Sequence, residues 1–140
     1  MANPYVVEKI LKDGKIINTE PSFTEEVVSK STASKITAML VSVVESSFSR
    51  RARIPGYYIA GKTGTSQIPW SVLGVNQKGY SNKTWQSFIG YAPAFNPEFL
   101  ILVKLDNPST STAEYSAVPI FRDLAKYIID YLQIPPDYNL

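Results

Sequence analysis

The stretch Gly56-Tyr-Tyr-Ile-Ala-Gly-Lys-Thr-Gly-Thr65 admits two incompatible structures, and the choice between them decides the fold class. Its first eight residues match the phosphate-loop pattern G-x-x-x-x-G-K-[ST] in full. Alternatively, Tyr57–Thr65 is a β-strand whose side chains alternate between two faces. The first interpretation requires a nucleotide-binding α/β fold, whereas the second fits an antiparallel sheet.

The residues on either side of this stretch favour the strand. A phosphate loop follows a buried strand and opens a helix whose N-terminus holds the anion. Here three arginines and Pro55 precede the pattern, while Gly64 and Pro69 follow where the helix would begin. Residues 66–83 also offer no crossover helix for a parallel pair of strands. A phosphate-loop nucleotide-binding protein therefore remains only as an alternative.

A strand at this position presents a small set of polar groups. Lys62 and Gly64 share one face, and Thr63 and Thr65 share the other. Such an edge can bind an extended peptide by β-addition and hold its terminal carboxylate through the lysine. Gly64 removes side-chain bulk where the substrate would lie. On these four residues alone, a polar strand end without any ligand is the better explanation.

The rest of the pattern predicts an α+β fold in which helices pack on an antiparallel sheet of about five strands. Asp13-Gly14 predicts a hairpin of Tyr5–Lys12 and Lys15–Asn18, because both turn positions need positive φ. Helical spacing of apolar residues predicts two helices, one from about Ser31 to Ser47 and one from Ala117 to Leu132.

The strands after the central stretch complete a single predicted domain over residues 1–140. Trp85–Tyr91 and Phe99–Leu105 predict a second hairpin, because only a short link separates them. Residues 66–83 are polar and contain Pro69 and two glycines. They predict a long structureless loop after the Lys62 strand, of the kind that forms a lid near a functional site or a flexible insertion.

Composition excludes several kinds of chemistry. The 140 residues contain no Cys and no His, which rules out disulfides, thiolate or imidazole metal sites and any Ser-His-Asp arrangement. An acyl-transfer mechanism would therefore use Lys or a carboxylate as its base. No apolar stretch approaches the roughly 18 to 20 residues that span a bilayer. The basic cluster Arg50, Arg51 and Arg53 lacks interleaved aromatic residues, which favours a solvated loop over a nucleic-acid site.

Ala60-Gly-Lys-Thr-Gly-Thr-Ser-Gln67 resembles the third active-site motif of penicillin-binding proteins and serine β-lactamases, whose signatures combine K-T-G with S-x-x-K and S-D-N. Residues 85–93, 100–106, 117–121 and 131–136 resemble the tail of class B, monofunctional transpeptidases. Residues 3–10 and 30–33 also look like that family. The resemblance covers nearly the whole chain and implies the C-terminal part of a transpeptidase domain.

The resemblance implies roles for the residues that match the motif. Lys62 would bind the carboxylate of the substrate or of a β-lactam, and the hydroxyls of Thr63 and Thr65 would contact it. The backbone N–H of Thr65 would form half of an oxyanion hole, which makes Lys62 and Thr65 the expected catalytic residues. Gly64 would allow close approach, and Gln67 completes the expected substrate-binding set.

The chain departs from the family in one decisive respect. No serine begins an S-x-x-K, and no S-x-N occurs. Thr32-Ala-Ser-Lys35 has the spacing with Thr first, where the family has an ordinary helix start. We therefore expect the chain alone to be inactive, as a natural or shortened piece of a longer D,D-transpeptidase that crosslinks peptidoglycan stem peptides through an acyl-serine intermediate.

The resemblance also implies partners and a location. The expected ligands are D-Ala-D-Ala stem peptides and β-lactams, with no metal or organic cofactor and no nucleic acid. The upstream half of the domain, or a second copy of the chain, would cover the apolar surface left open. The site would face the extracytoplasmic side of the membrane, anchored through a parent segment outside this chain. A non-catalytic module that binds peptidoglycan peptides remains an alternative.

Overall fold

The computed structural model describes residues 3, 6–23, 27–46 and 48–139. The chain divides into two compact units, Met1–Ala33 and Ser34–Leu140. The elements in chain order are β1 (Lys9–Lys12), β2 (Lys15–Asn18), α1 (Lys30–Ser46), β3 (Ala60–Pro69), β4 (Tyr80–Ala92), β5 (Phe99–Asp106) and α2 (Ala117–Leu132). Short 3-10 turns occupy Phe48–Ala52, Trp70–Leu73 and Ala113–Tyr115. The predicted α+β class is confirmed.

The first unit contains the predicted hairpin of β1 and β2. The strands are antiparallel with Lys12 opposite Lys15, and both turn residues have positive φ, at 52° for Asp13 and 72° for Gly14. This is the geometry that the Asp-Gly dipeptide favours. β1 begins at Lys9 rather than at Tyr5, which lies outside the described residues.

The second unit is built on a three-stranded antiparallel sheet in the order β3-β4-β5. The prediction of one sheet of about five strands is therefore wrong: the described residues form two sheets, of two and three strands. The cause is that β1 and β2 pair only with each other, in a different compact unit. Hairpin signals are local, and they do not reveal which hairpins join the same sheet.

The predicted limits of β3 and of the loop after it are also wrong. The strand runs over Ala60–Pro69 rather than Tyr57–Thr65, because the chain makes a tight turn before it, with Gly56 at φ 87°. The predicted 66–83 loop is mostly strand, since only residues 70–79 connect β3 to β4. Ser81 fixes the paired ends: its buried hydroxyl donates to the Ile68 carbonyl at 2.8 Å.

The two predicted helices are present with nearly the predicted limits. α1 begins after Ser29, whose hydroxyl accepts the backbone N–H of Thr32 at 3.1 Å and so acts as the N-cap. α2 ends at Leu132, and its C-cap Gln133 adopts a left-handed conformation. The N–H of Ile134 closes the last turn on the carbonyl of Ile129.

α2 packs on one face of the sheet through a close aromatic pair. Phe121 and Phe88 of β4 are both fully buried, and their rings meet edge to face at 4.7 Å. Gly90 makes this approach possible, because a Cβ there would lie 2.7 Å from the Phe121 ring. The other buried residues of α2 are Ala117, Val118, Ala125 and Ile129.

Replacing Phe121 with Ala should lower the free energy of unfolding by about 3 to 5 kcal/mol, because a fully buried ring leaves a cavity against Phe88. The matched control is Ile120→Ala, one residue earlier and 41% exposed, which should cost less than about 1 kcal/mol. Urea unfolding followed by circular dichroism measures both values. Equal losses in the two variants would show that α2 does not pack through Phe121.

Candidate substrate-binding edge of the central strand hairpin

The outer edge of β3 has unpaired backbone groups at alternate residues. The carbonyl of Thr84 accepts the N–H of Asn107 at 2.8 Å, so even-numbered residues of β4 bond to β5 and odd-numbered residues bond to β3. Because Gly64 lies opposite Ser87, the even-numbered residues of β3 pair with β4. The backbone groups of Thr63 and Thr65 therefore point away from the sheet, and β3 has no second partner strand in the described part of the chain.

Lys62 confirms this orientation and places a cation at the same edge. Its Nζ donates to the Thr63 carbonyl at 3.0 Å and lies 3.3 Å from the Thr63 hydroxyl. The side chain is exposed, and none of the ion pairs between described residues involves it. The ammonium group is therefore free to meet an external anion beside the open backbone edge.

Four of the five expected site residues lie together along this edge, whereas the side chain of the fifth, Gln67, bonds to its own hairpin. Lys62, Thr63, Gly64 and Thr65 are consecutive in β3, with Thr65 exposed and Thr63 half-buried. The side-chain amide of Gln67, by contrast, donates to the carbonyl of Ser81 at 3.1 Å. This bond holds β3 to β4 and uses one of the two N–H groups of the amide, so Gln67 serves its own hairpin first.

Two glycines of β3 are required by neighbours inside the sheet. A Cβ on Gly61 would lie 2.4 Å from the Phe88 ring, and one on Gly64 would lie 2.7 Å from the Ser87 hydroxyl. The missing side chain at Gly64 therefore leaves room for the Ser87 hydroxyl of β4 as well as for any substrate. Phe88 is fixed by the core, whereas the Ser87 hydroxyl can rotate.

A buried amide supports the strand behind the site, and nothing in the sequence pattern identified it. Gln86 of β4 lies opposite Thr65 and is fully buried. Its amide nitrogen donates to the carbonyl of Thr110 at 2.6 Å, and its amide oxygen accepts the hydroxyl of Ser116 at 2.6 Å. These bonds tie β4 to the segment that leads into α2, so the strand carrying Thr65 rests on a fixed neighbour.

The face of the sheet that carries Lys62 is partly covered and partly open. α1 covers one end, where Thr37 and Tyr91 share a hydrogen bond of 2.9 Å between their hydroxyls. Beyond this contact the cross-strand neighbours of Lys62 are apolar and exposed. Ile89, Leu100 and Leu102 form this open apolar face, with Ile89 directly opposite both Lys62 and Leu102.

The phosphate-loop alternative is wrong. β3 continues through Thr63 to Pro69 without a helix, so no helix N-terminus is present to hold a phosphate. Gly56, the first glycine of the pattern, lies in the turn before the strand. Its carbonyl accepts the N–H groups of Asp137 and Tyr138 at 2.8 and 3.3 Å.

Thr32, which occupies the serine position of an S-x-x-K spacing, belongs to a helix cap. Its hydroxyl lies 3.0 Å from that of Ser29, consistent with the ordinary helix start that the sequence predicts. In the described ranges no group of three or more acidic residues is placed to hold a metal ion. Neither α1 nor α2 has the length and apolarity of a membrane-spanning helix.

Comparison with known proteins decides the family. The sequence profile of the penicillin-binding protein transpeptidase domain matches residues 1–126. The chain belongs to the penicillin-binding protein transpeptidase family. It is 37% identical over 110 residues to the probable peptidoglycan D,D-transpeptidase PbpC of Pseudomonas aeruginosa, covering 75% of this chain and 18% of that protein. It is 33% identical over 122 residues to stage V sporulation protein D of Bacillus subtilis, covering 85% and 18%.

Solved structures of the penicillin-binding protein transpeptidase family show the same fold. Penicillin-binding protein 3 of Mycobacterium tuberculosis, solved with ampicillin, has a TM-score of 0.75 and 30% identity over 91% of this chain and 30% of its own. The transpeptidase domain of penicillin-binding protein 3 from Burkholderia pseudomallei has a TM-score of 0.72 and 30% identity over 86% and 36%. The chain thus spans about a fifth of these curated relatives and about a third of these solved chains.

The two glycines of the transpeptidase motif should respond differently to alanine. Gly61→Ala should cost about 1 to 3 kcal/mol of unfolding free energy, because its Cβ meets the packed Phe88 ring. Gly64→Ala should cost less than about 1 kcal/mol, and Ser87→Ala in the same chain should remove most of that cost. Urea unfolding of the single and double variants measures these values. A neutral Gly61→Ala would show that the ring does not lie beneath β3.

Proposed function

We propose that this chain is the carboxylate-binding part of a peptidoglycan D,D-transpeptidase. The observation that carries the proposal is the position of Lys62, whose ammonium lies over the unpaired edge of β3 beside the Thr63 hydroxyl. Family membership supplies the reaction class, and this edge supplies a chemical role for the chain within it.

An extended stem peptide fits such an edge by pairing with the outward backbone groups of Thr63 and Thr65. Its terminal D-alanyl carboxylate would then meet the ammonium of Lys62 and the neighbouring threonine hydroxyls. A cation about 4 Å from a carboxylate contributes roughly 4 kcal/mol of gross attraction at an effective dielectric near 20, before desolvation. The carboxyl group of a β-lactam would use the same contacts.

The backbone N–H of Thr65 is the group of this chain that can act on the reacting carbonyl. It points away from β4 by the register argument above, as a donor for the oxyanion of a tetrahedral intermediate must. We assign it half of an oxyanion hole. Lys62 and Thr65 are therefore the residues that we place closest to the chemistry.

The nucleophile comes from outside this chain in the proposed reaction. A serine attacks the carbonyl between the two D-alanines, the terminal D-alanine leaves as its amine takes a proton, and an acyl-serine ester remains. The amine of a neighbouring stem peptide then attacks the ester, forms the crosslink and returns the serine. No S-x-x-K in this sequence provides that serine.

The occupant that we propose for the open apolar face is the upstream half of the same domain. The solved transpeptidase chains are about three times as long as the part that this chain matches. Ile89, Leu100 and Leu102 lie on the face of Lys62, so the half that covers them would bring the serine to the same side. Where that half is absent, we expect a second copy to cover this face.

We propose the extracytoplasmic side of the cytoplasmic membrane as the location, because peptidoglycan is assembled there. The anchor in this proposal lies in a segment outside this chain. The sequence offers one further candidate function, a module that binds peptidoglycan peptides without turning them over. Its support is the absence of S-x-x-K and S-x-N from these 140 residues.

The chain alone should acquire no covalent label from fluorescent penicillin, because it lacks the nucleophile. When this chain is grafted in place of the matching segment of the P. aeruginosa relative, the hybrid protein should bind fluorescent penicillin covalently. Gel fluorescence detects this label. Excess unlabelled ampicillin is the control for specificity. Stable acylation of the isolated chain would show an unrecognised nucleophile, whereas a folded but unlabelled graft would favour the binding module.

In the same graft, Lys62→Met should lower the rate constant of penicillin acylation at least about tenfold, because the carboxylate loses its cation. The matched control is Lys126→Met, a lysine exposed on α2, which packs on the opposite face of the sheet. It should change the rate by less than about twofold. Equal effects of the two changes would exclude a specific contact of Lys62 with the carboxylate.

A further inference from the structure

Basic residues distant in sequence converge where the turn after α1 meets α2. Arg50, Arg53 and Arg122 line a cavity of about 550 Å³ together with Ile54, Pro55 and Tyr138. A cavity of about 250 Å³ shares these three arginines and adds Arg51 and Pro119. A third, of about 320 Å³, shares Arg122 and adds Lys126 and Ile129. We call these three adjoining cavities the basic groove.

Contacts inside the protein hold several of the arginines of the basic groove in place. The Nε of Arg122 donates to the carbonyl of Arg53 at 3.2 Å. The guanidinium of Arg51 lies 4.5 Å from the centre of the Tyr115 ring. Arg53 pairs with Glu45 at 3.0 Å. These contacts reduce the conformational entropy that the side chains would lose on binding a ligand.

The positive charge of the groove is largely uncompensated. Of the ion pairs formed between described residues, only the one between Arg53 and Glu45 involves a groove cation. Asp130 is the acidic residue that lines the groove itself, at the end marked by Lys126. Like charges that line one groove repel one another, so a bound anion would lower the electrostatic free energy of the groove.

The floor of the groove is apolar and rigid. Ile54 and Ile129 are buried, and the segment that carries Tyr138 is fixed by its bond to the carbonyl of Gly56. A concave floor of this kind, with guanidinium groups along it, suits an extended chain that alternates apolar and acidic side chains. A flat lipid surface does not reach into a concavity.

The basic groove is separate from the substrate edge. Its residues Arg122 and Lys126 belong to α2, which packs on the Phe88 face of the sheet, whereas Lys62 lies on the opposite face. We propose that the basic groove binds an extended acidic peptide segment of a partner protein. The partner is then held on one side of the sheet while the substrate edge remains open on the other.

Fluorescence anisotropy with the 140-residue chain tests this proposal. The probe is a short fluorescein-labelled peptide of alternating Glu and Leu, and its control carries Gln in place of Glu. We expect the acidic peptide to bind at low ionic strength and the Gln peptide to bind at least about tenfold more weakly. Arg50→Glu and Arg122→Glu should each weaken binding of the acidic peptide at least about tenfold.

Two control variants separate the groove from general charge attraction and from the substrate edge. Lys78→Glu makes the same charge change in the loop between β3 and β4, and Lys62→Met removes the substrate cation. Both should keep the affinity within about twofold. Arg50 is exposed, and its contact in the described part of the chain is through its backbone carbonyl, which accepts the N–H of Arg53 at 3.1 Å. Because that contact does not use the side chain, Arg50→Glu should keep the circular dichroism spectrum unchanged.

Three results would overturn the proposal. The first is an acidic peptide that does not bind, or that binds no better than the Gln peptide. The second is an equal loss of affinity with Lys78→Glu, which would show attraction to net charge. The third is Arg50-dependent binding to phosphatidylglycerol vesicles without binding to the peptide, which would identify a membrane surface as the ligand.

Discussion

The open edge of β3 is the constraint on which the rest of the structure depends. A strand that is paired on one side only offers backbone donors and acceptors at every second residue, in fixed positions. Here those positions fall at Thr63 and Thr65, with the ammonium of Lys62 folded over the same edge. A shift of the register by one residue would exchange the paired and free groups and would remove the site.

The register is maintained by the strand behind β3. β4 pairs with β3 on one side and β5 on the other, and its core face presents Phe88 and Gln86. The Phe88 ring packs between Gly61 and Phe121. The Gln86 amide is hydrogen-bonded to the segment before α2. An apolar and a polar anchor thus fix the same strand, and a slip would break both at once.

Local sequence signals predicted the parts of this structure that depend on local geometry. Asp13-Gly14 specified its own turn, and the apolar spacing over Ala117–Leu132 predicted the helix α2 with its limits. Contacts between distant residues escaped prediction. Ser81 is buried and bonds to Ile68, so the polar stretch around it forms paired strand ends and not a loop. Arg122 bonds to Arg53, so the arginine segment that was predicted as a solvated loop lines one side of a groove. The sequence placed Lys62 correctly on a strand, but it did not reveal that Gln67 binds its own hairpin.

The end of the described chain has a consequence for how the protein is made. The N–H of Tyr58, just before β3, donates to the carboxylate of Asp137 at 2.8 Å, across 79 positions of sequence. The carbonyl of Gly56 is bound by the same late segment. During synthesis, the Tyr58 contact therefore cannot form until the segment that carries Asp137 has left the ribosome, which is after β3, β4, β5 and α2 have all been made.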